Sequence, residues 1–471
     1  MPSPDPSSKL APATGVRFGV LGLLCVLAMI TYMDRAANGS AKKAIMEDLN
    51  AGGSKYVEDD FFLVLMAFQL AYALFEIPSG WLGDTRGPRG TLLRVVLWWT
   101  AFVALTGLTG MTLPGGFYVG FGALVVIQFL FGVGEAGAFP NISKALYNWF
   151  PAGDRGFAKS AVWSCARCMG GLTPLVWLLV TGPEFLGLTW RQAMWLFAAT
   201  AGVWCVVFYL IFRNKPSEHP RVNAAELAVI DAGRAPQAGK VVVPWGKLVR
   251  SRNLWCICFM YVVTNFCWYF LMYNLPGTLK RQYASWEDTS AGKVQLALLA
   301  GSPLLVGMFG CLLGGTLSDR YIKRTGDRKW GRRLPGMIGY GLAGLCYFAA
   351  AGAKVAAPDN LFLFAGLLIL MGFCNDLIMA PAWAVCQDVG REYAATVSGA
   401  MNMFGNLVGA VTGIFVTGYI LKRYPISEGA DGIIRCFVLY GVVYFIGVGL
   451  WLLIDASKPI VPDAQAATGS D

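Results

Sequence analysis

The chain has 471 residues, of which 56% are hydrophobic and only 14% charged, whereas a soluble globular domain carries about 25% charged residues. Its formal net charge is +10, but the basic residues sit in short loops between apolar runs rather than on a polar face interleaved with aromatics, which argues against nucleic-acid binding. The single histidine, His219, lies in a polar loop beside Pro220, and the twelve cysteines fall mostly inside apolar runs. No His-based triad or metal cluster can be assembled, so no cofactor is expected and an enzyme is hard to build. Cys165 and Cys168 form a CxxC in mid-span, where small apolar packing residues explain them better than zinc or redox chemistry.

In chain order, residues 1–15 are rich in Pro, Ser and Ala, lack a signal-peptide pattern, and read as a disordered tail. Apolar runs of about 20 residues then recur, each long enough to cross a hydrocarbon core of about 30 Å. Backbone groups in lipid must be paired internally, and the runs are too long and too uniformly apolar for barrel strands, so they are helices. The predicted helices are 16–44, 59–84, 90–111, 117–147, 156–181, 190–213, 253–277, 294–319, 334–353, 360–386, 393–421 and 433–455. The expected fold is an all-α membrane protein of twelve transmembrane helices in two pseudo-symmetric six-helix bundles, 16–213 and 253–455. A linker, 214–252, holds Pro216, Pro220, Pro236, Pro244 and a short amphipathic piece around Ala224–Arg234; a tail, 456–471, follows the last span. About 25 Lys and Arg fall in the tails and even-numbered loops against about 11 in the odd-numbered ones, which places the linker and both termini in the cytoplasm.

The halves echo one another. Gly80-Trp81-Leu82-Gly83-Asp84 ends the second span and Gly315-Thr316-Leu317-Ser318-Asp319 ends the eighth, each followed by a basic loop reaching Arg89 or Arg332. Glu135 stands five residues before Pro140, and Asp376 five before Pro381. Repeated halves around a midplane site are a transporter design. Asp84, Arg89, Asp319 and Arg332 are expected to clamp cytoplasmic helix ends and so gate a path. Gly405, Gly409 and Gly413 make a small-residue face for close helix packing.

An ionisable residue inside a span costs about 2.5–3.5 kcal/mol on insertion scales and is a functional candidate by default. Deep inside spans, four acids (Asp34, Glu76, Glu135, Asp376) and two bases (Arg35, Arg167) stand out as candidates. Fully ionised, this set carries a net charge of −2, so at least one carboxylate is expected to hold a proton, as proton coupling requires. Arg35 offers a planar fork that fits a carboxylate with two parallel hydrogen bonds, with a purely structural ion pair as the competing reading.

Tyr32-Met33-Asp34-Arg35, Ile77-Pro78-Ser79-Gly80-Trp81-Leu82-Gly83-Asp84, Gly87-Pro88-Arg89, Gly134-Glu135-Ala136 with Phe139-Pro140, Trp149-Phe150-Pro151, Asp154-Arg155, Asn265, Tyr269, Phe270, Leu275-Pro276, Pro381, Trp383, Asp388, Ser398-Gly399 and Asn402 together resemble the major facilitator superfamily. More narrowly they are similar to its anion:cation symporter branch, over nearly all of residues 16–455. The resemblance implies a multi-pass transporter of the bacterial inner membrane, functional as a monomer in the lipid bilayer. It would import a small organic carboxylate anion, such as a sugar acid, by proton symport with alternating access. It also implies that Asp34 and Glu135 are proton sites, that Arg35 binds the substrate carboxylate, and that Tyr32, Tyr72, Asn265, Tyr269, Trp383 and Asn402 line the cavity. An exchanger or exporter of the same fold, a non-transporting anion receptor, and Na⁺ in place of H⁺ remain as alternatives.

Three positions depart from the family pattern. Gln128 stands where the family carries an arginine, seven residues before Glu135; Arg167 stands where it carries a small or polar residue; Asp376 stands where it is apolar or small. The expectation is that the cation has moved, so that Arg167 partners Glu135 or a second substrate carboxylate. Asp376 either accepts hydroxyl hydrogen bonds from a polyol or serves as an extra proton site, or else caps Asn375 and nearby backbone without touching ligand.

Overall fold

The computed structural model describes residues 12–51, 55–56, 60–232, 242–273, 289–357, 360–424 and 431–461. Leu275 and Pro276, and the side chains of Tyr269 and Phe270, lie outside the described residues. The helices are α1 (Val16–Ala51), α2 (Phe61–Arg86), α3 (Pro88–Thr106), α4 (Phe121–Glu135), α5 (Ala138–Trp149), α6 (Arg155–Thr181) and α7 (Trp190–Ile211). Two short ones, α8 (Ala224–Asp231) and α9 (Trp245–Arg250), follow in the central segment. Then come α10 (Arg252–Tyr273), α11 (Ser290–Thr325), α12 (Arg328–Ala356), α13 (Leu361–Asp376), α14 (Met379–Gly390), α15 (Ala394–Phe404), α16 (Val411–Arg423) and α17 (Asp431–Leu453). Among the described residues nine helical stretches are long and apolar enough to cross a membrane by length and composition.

The expected boundaries move for local reasons. The third span stops at Thr106 rather than 111, because Gly110, Gly115 and Gly116 take positive φ and the chain turns through an antiparallel bridge between Thr112 and Tyr118. The basic stretch after Asp319, expected as a loop, is mostly helical. Lys and Arg are good helix formers, so α11 runs to Thr325 until Gly326 closes it in the left-handed region. Asp327 then caps α12 by accepting from Trp330 N at 3.1 Å.

Two expected single spans are broken in matching places. The helical ladder lapses after Glu135, where Gly137 N bonds Gly134 O three residues back, and after Asp376, where Ile378 N bonds Asn375 O. Pro140 and Pro381 then fall in the first turns of α5 and α14, where a missing N–H leaves no bond unmade. The five-residue acid–proline spacing is the sequence record of these breaks. Between α15 and α16, Gly405–Ala410 forms a π-helical stretch. A side chain at Gly409 would lie 2.5 Å from Val262 O, and one at Gly413 2.5 Å from Phe266 O, so this glycine face lets its helix touch the α10 backbone.

Both described chain ends and the central segment gather at one end of the molecule. Glu226, on α8, accepts from Val16 N at 3.1 Å and Arg17 N at 3.0 Å and from the Thr14 hydroxyl, capping the start of α1. At the other end of the chain Ile460 N bonds Val389 O, and Asn253 bonds Asp455 O at 2.6 Å. This is called the termini end below. The halves α1–α7 and α10–α17 meet chiefly along α2 with α15 and α6 with α11. All twelve cysteines are free thiols, Cys165 and Cys168 included.

Candidate functional site

The two helix breaks present an acid each, and each acid meets an arginine. Arg35, on α1, donates to Glu135 Oε1 from Nε (3.2 Å) and from a terminal nitrogen (2.9 Å). Its guanidinium also stacks over the Tyr72 ring at 4.5 Å and near Phe68 at 5.4 Å. Arg167, on α6, forks onto Asp376 at 2.7 and 2.9 Å and donates to the Tyr32 hydroxyl at 2.9 Å. Trp268 covers its guanidinium at 4.6 Å. A Cβ on Gly307 would fall 2.3 Å from Asp376 Oδ2, so the missing side chain makes room for the carboxylate.

The Arg167–Asp376 pair joins the halves; the Arg35–Glu135 pair lies within one. Both guanidiniums flank one ring: their central carbons are 5.8 and 5.7 Å from the Tyr32 centroid, hence at most 11.5 Å apart. The Arg35 side chain keeps 30% exposure whereas that of Arg167 has 4%. Asp34 is buried, and neither carboxylate oxygen has a hydrogen-bond partner within normal reach.

A second polar link crosses the halves. Asn402, on α15, donates to Glu76 and, at 3.1 Å, to the Tyr72 hydroxyl, while Gln69 donates to Asn406 at 3.0 Å. Beneath Arg167, toward the termini end, Phe139, Trp163 and Trp383 close into an aromatic layer, with Phe139 and Trp163 stacked at 4.5 Å and Trp163 to Trp383 at 5.3 Å. Trp383 is fully buried and donates to the Tyr261 hydroxyl at 3.2 Å. Lys159 lies on the far side of that layer, 4.6 Å from the Trp383 ring.

The termini end is shut by a pair of crossed caps. Asp84, ending α2 in the first half, accepts from Ala395 N (3.2 Å), Thr396 N (2.7 Å) and the Thr396 hydroxyl (2.7 Å) at the start of α15 in the second. Asp319, in α11 of the second half, accepts from Phe157 N at 2.7 Å at the start of α6 in the first. A carboxylate at a helix N-terminus is favoured by the unpaired N–H groups and the helix dipole, and here each half caps a helix of the other. Arg332 binds Asp319 (2.8 Å) and Asp388 (2.9 Å), Arg155 reaches Asp388 at 3.5 Å, and Lys323 reaches Asp154 at 2.6 Å.

Several expectations need correction. Arg167 does not partner Glu135; Arg35 holds that acid, and Arg167 is taken by Asp376. Gln128 donates to Asn38 (2.9 Å) and to Thr106 (3.1 Å) inside the first half. Asp376 does hold Asn375, as one of its two expected readings had it, with Asn375 donating at 3.1 Å and itself held by Tyr444 at 2.8 Å, but it also carries the Arg167 pair. Arg89, expected in the gate beside Asp84, instead bonds Asn214 and Tyr209 O within its own half, and Lys144 is the cation at Asp84 (3.6 Å). Asn265 is buried, with Gly405 making room for its amide.

Lys159 is a buried ionisable residue near the centre that the sequence count omitted. It sits one turn inside α6, where a lysine normally snorkels to the interface, yet it has no exposed surface. With it the central set holds four acids and three bases, a net charge of −1 if all are ionised. A cavity of about 890 Å³, lined in part by Trp245, Arg250, Asn253, Arg333 and Lys458, opens beside the central segment, apart from these charges.

The Major Facilitator Superfamily profile matches residues 24–413. A probable sulfoacetate transporter of Cupriavidus necator is 34% identical over 414 residues, covering 86% of this chain and 88% of that protein. A probable galactarate/D-glucarate transporter of Escherichia coli is 29% identical over 459 residues, covering 94% of this chain and 96% of that protein. Among solved structures, a proton:xylose symporter superposes with a TM-score of 0.70 at 13% identity, covering 92% of this chain and 94% of that one, which is a likeness of fold.

Proposed function

The chain belongs to the major facilitator superfamily, a family of membrane transporters rather than enzymes, and on that premise we propose that it imports a small organic dianion by proton symport. The observation that carries this reading is that two guanidiniums flank Tyr32, each already gripping a carboxylate of the protein. A carboxylate held by an arginine is a stand-in for a substrate carboxylate or sulfonate of the same geometry. Sulfoacetate, galactarate and D-glucarate, named for the relatives, each carry two acidic groups, one for each arginine.

In this mechanism the carrier, built of twelve spans with its termini in the cytoplasm, starts with the termini end closed by the Asp84 and Asp319 caps. One proton shared by the Asp34–Glu135 pair releases Arg35, and one on Asp376 releases Arg167. The two acid groups of the substrate take the vacated forks. Because a ligand shifts an equilibrium only through differential affinity, the loaded state must favour closure around the anion and rupture of the caps. Two protons accompanying one dianion leave the buried charge where it started, so the loaded carrier moves no net charge. At the higher pH of the cytoplasm the carboxylates lose their protons and reclaim the arginines, expelling the anion.

Purified protein in liposomes tests this. An inward-directed proton gradient should drive accumulation of sulfoacetate, D-glucarate or galactarate, and a membrane potential clamped with valinomycin should leave the rate unchanged. Uptake that needs internal counter-anion and ignores the proton gradient would show an exchanger instead.

A further inference from the structure

One face of α6 carries a ladder of functional side chains at four-residue steps: Arg155, Lys159, Trp163 and Arg167. Each step advances about 6 Å along the helix. Arg167 at the inner rung is satisfied by Asp376, and Arg155 at the termini end meets Asp388. Lys159, between them, has no hydrogen-bond partner for its amine and no exposed surface, and its amine lies 4.6 Å from the Trp383 ring.

Lys159 is not alone in its layer. Ser143 follows Phe139 by one turn on α5, and Gln387 follows Trp383 by one turn on α14, both toward the termini end. Both residues are fully buried, and Ser143 Oγ and Gln387 Oε1 also lack hydrogen-bond partners. Buried polar atoms without partners are few in native interiors, and three in one layer ask for a reason. The amide nitrogen of Gln387 donates to Ser143 O at 3.0 Å, which stitches α14 of one half to α5 of the other. When the halves part at this end, that bond breaks and the layer presents an ammonium group, an amide N–H and a hydroxyl. These three donors together suit an oxyanion, with the Gln387 Oε1 acceptor turned away from it.

We propose that Ser143, Lys159 and Gln387 form a second anion site on the transport path, a station for the carboxylate or sulfonate of the departing substrate between the arginine pair and the termini end. In the conformation described here the station is sealed above by Phe139, Trp163 and Trp383 and below by the crossed caps. Opening at the termini end parts α14 from α5 and α6, moves Trp383 off the lysine, and joins the station to the arginine site. The anion then descends α6 from Arg167 to Lys159 over two turns. The amine is held meanwhile by an aromatic face, which stabilises the cation without supplying an acid that the substrate would have to displace.

This rests on the reading of the chain as an organic-anion transporter, and the experiment separates the two. Full-length wild type, Lys159→Met and Lys159→Arg are placed in liposomes with known orientation, and the apparent KM for sulfoacetate, D-glucarate and galactarate is measured from each face. For whichever of these the wild type carries, Lys159→Met should raise KM at the termini face by about tenfold or more, the scale of one charge-assisted hydrogen bond. KM from the opposite face should stay within about threefold; reversibility then makes the maximal rate from that face fall by the factor lost at the termini face. Lys159→Arg, which keeps the charge, should recover most of the loss. Unchanged kinetics in Lys159→Met, an equal rise on both faces, or an arginine variant as impaired as the methionine one would overturn the station. If the wild type carries none of the three anions, the transport reading falls and takes the station with it.

Discussion

The breaks at Glu135 and Asp376 use the same backbone device, an acid at the end of one helix and a proline in the first turn of the next, yet their arginines come from different places. Glu135 is held from α1 in its own half, and Asp376 is held from α6 in the other half. Neutralising the first changes what Arg35 can bind but need not move the halves. Neutralising the second removes a buried tie between them. In the proposed cycle one repeated element therefore serves two tasks, ligand capture and control of the rocking motion, and the difference lies in which helix supplies the cation.

The sharpest way to break this comparison is to remove one member of each pair. Arg167→Gln leaves Asp376 buried beside no cation, which costs on the order of 3–5 kcal/mol. It should abolish measurable uptake and lower the melting temperature of the purified protein, and Asp376→Asn added to it should recover most of the stability. Arg35→Gln should abolish uptake with a smaller loss of stability, since Arg35 is partly exposed. Equal thermal penalties for the two single variants would mean that the cross-half pair has no special structural weight.

The caps offer a second contrast. Asp84 accepts two backbone N–H groups and a hydroxyl across the halves, whereas Arg89 bonds only within its own half. Asp84→Asn should raise the population open at the termini end by roughly tenfold or more, the worth of a charge-assisted hydrogen bond, and Arg89→Ala should leave it unchanged. The readout is maleimide labelling of the buried Cys386 on α14, followed by mass spectrometry. Faster labelling in Arg89→Ala than in Asp84→Asn would reverse the assignment.

A null result is expected for the relocated charge. Because Gln128 is tied to Asn38 and Thr106, Gln128→Arg should not rescue uptake in an Arg167→Gln background; recovery would mean that the two positions share one ligand. The smallest effect concerns Glu226. Burial opposes its charge, but the bonds from Thr14, Arg17 N and Val16 N and the Arg17 charge prevail and hold its carboxyl below the usual glutamate range. Its anchoring of the α1 start is therefore complete above the ordinary glutamate value of about 4.3 and lost as pH falls through the lowered folded value. Hydrogen exchange at residues 14–20, corrected for intrinsic rates, should show protection that fades on acidification in wild type and is weak and flat in Glu226→Gln.

Much of this architecture was legible because lipid imposes long apolar runs and because intramembrane charges are rare enough to stand out. Asp34, Arg35, Glu135, Arg167 and Asp376 could be singled out by their cost alone. Their pairing could not: whether Arg167 meets Glu135 or Asp376 depends on which helices face each other across the halves, and nothing in the spacing along one chain encodes that. The acid–proline echo marked both helix breaks, but a proline five residues after an acid is equally compatible with a kinked continuous span. Lys159 escaped notice because a lysine near a helix end normally reaches water, and only the packing of Trp383 over it shows that this one does not. Arg89 misled for the opposite reason, since its repeat partner Arg332 does meet acids at the termini end, Asp319 and Asp388, while Arg89 is diverted to Tyr209 and Asn214.

The central claim, that two arginines read two acidic groups, is tested most directly by charge-number specificity. Competition of D-glucarate and D-gluconate for uptake compares a dianion with a monoanion of nearly the same skeleton. Wild type should prefer the dianion by about tenfold or more, the scale of one charge-assisted hydrogen bond. Arg167→Gln combined with Asp376→Asn should retain residual transport while the preference collapses toward unity. An undiminished preference for D-glucarate in that double variant would contradict the account.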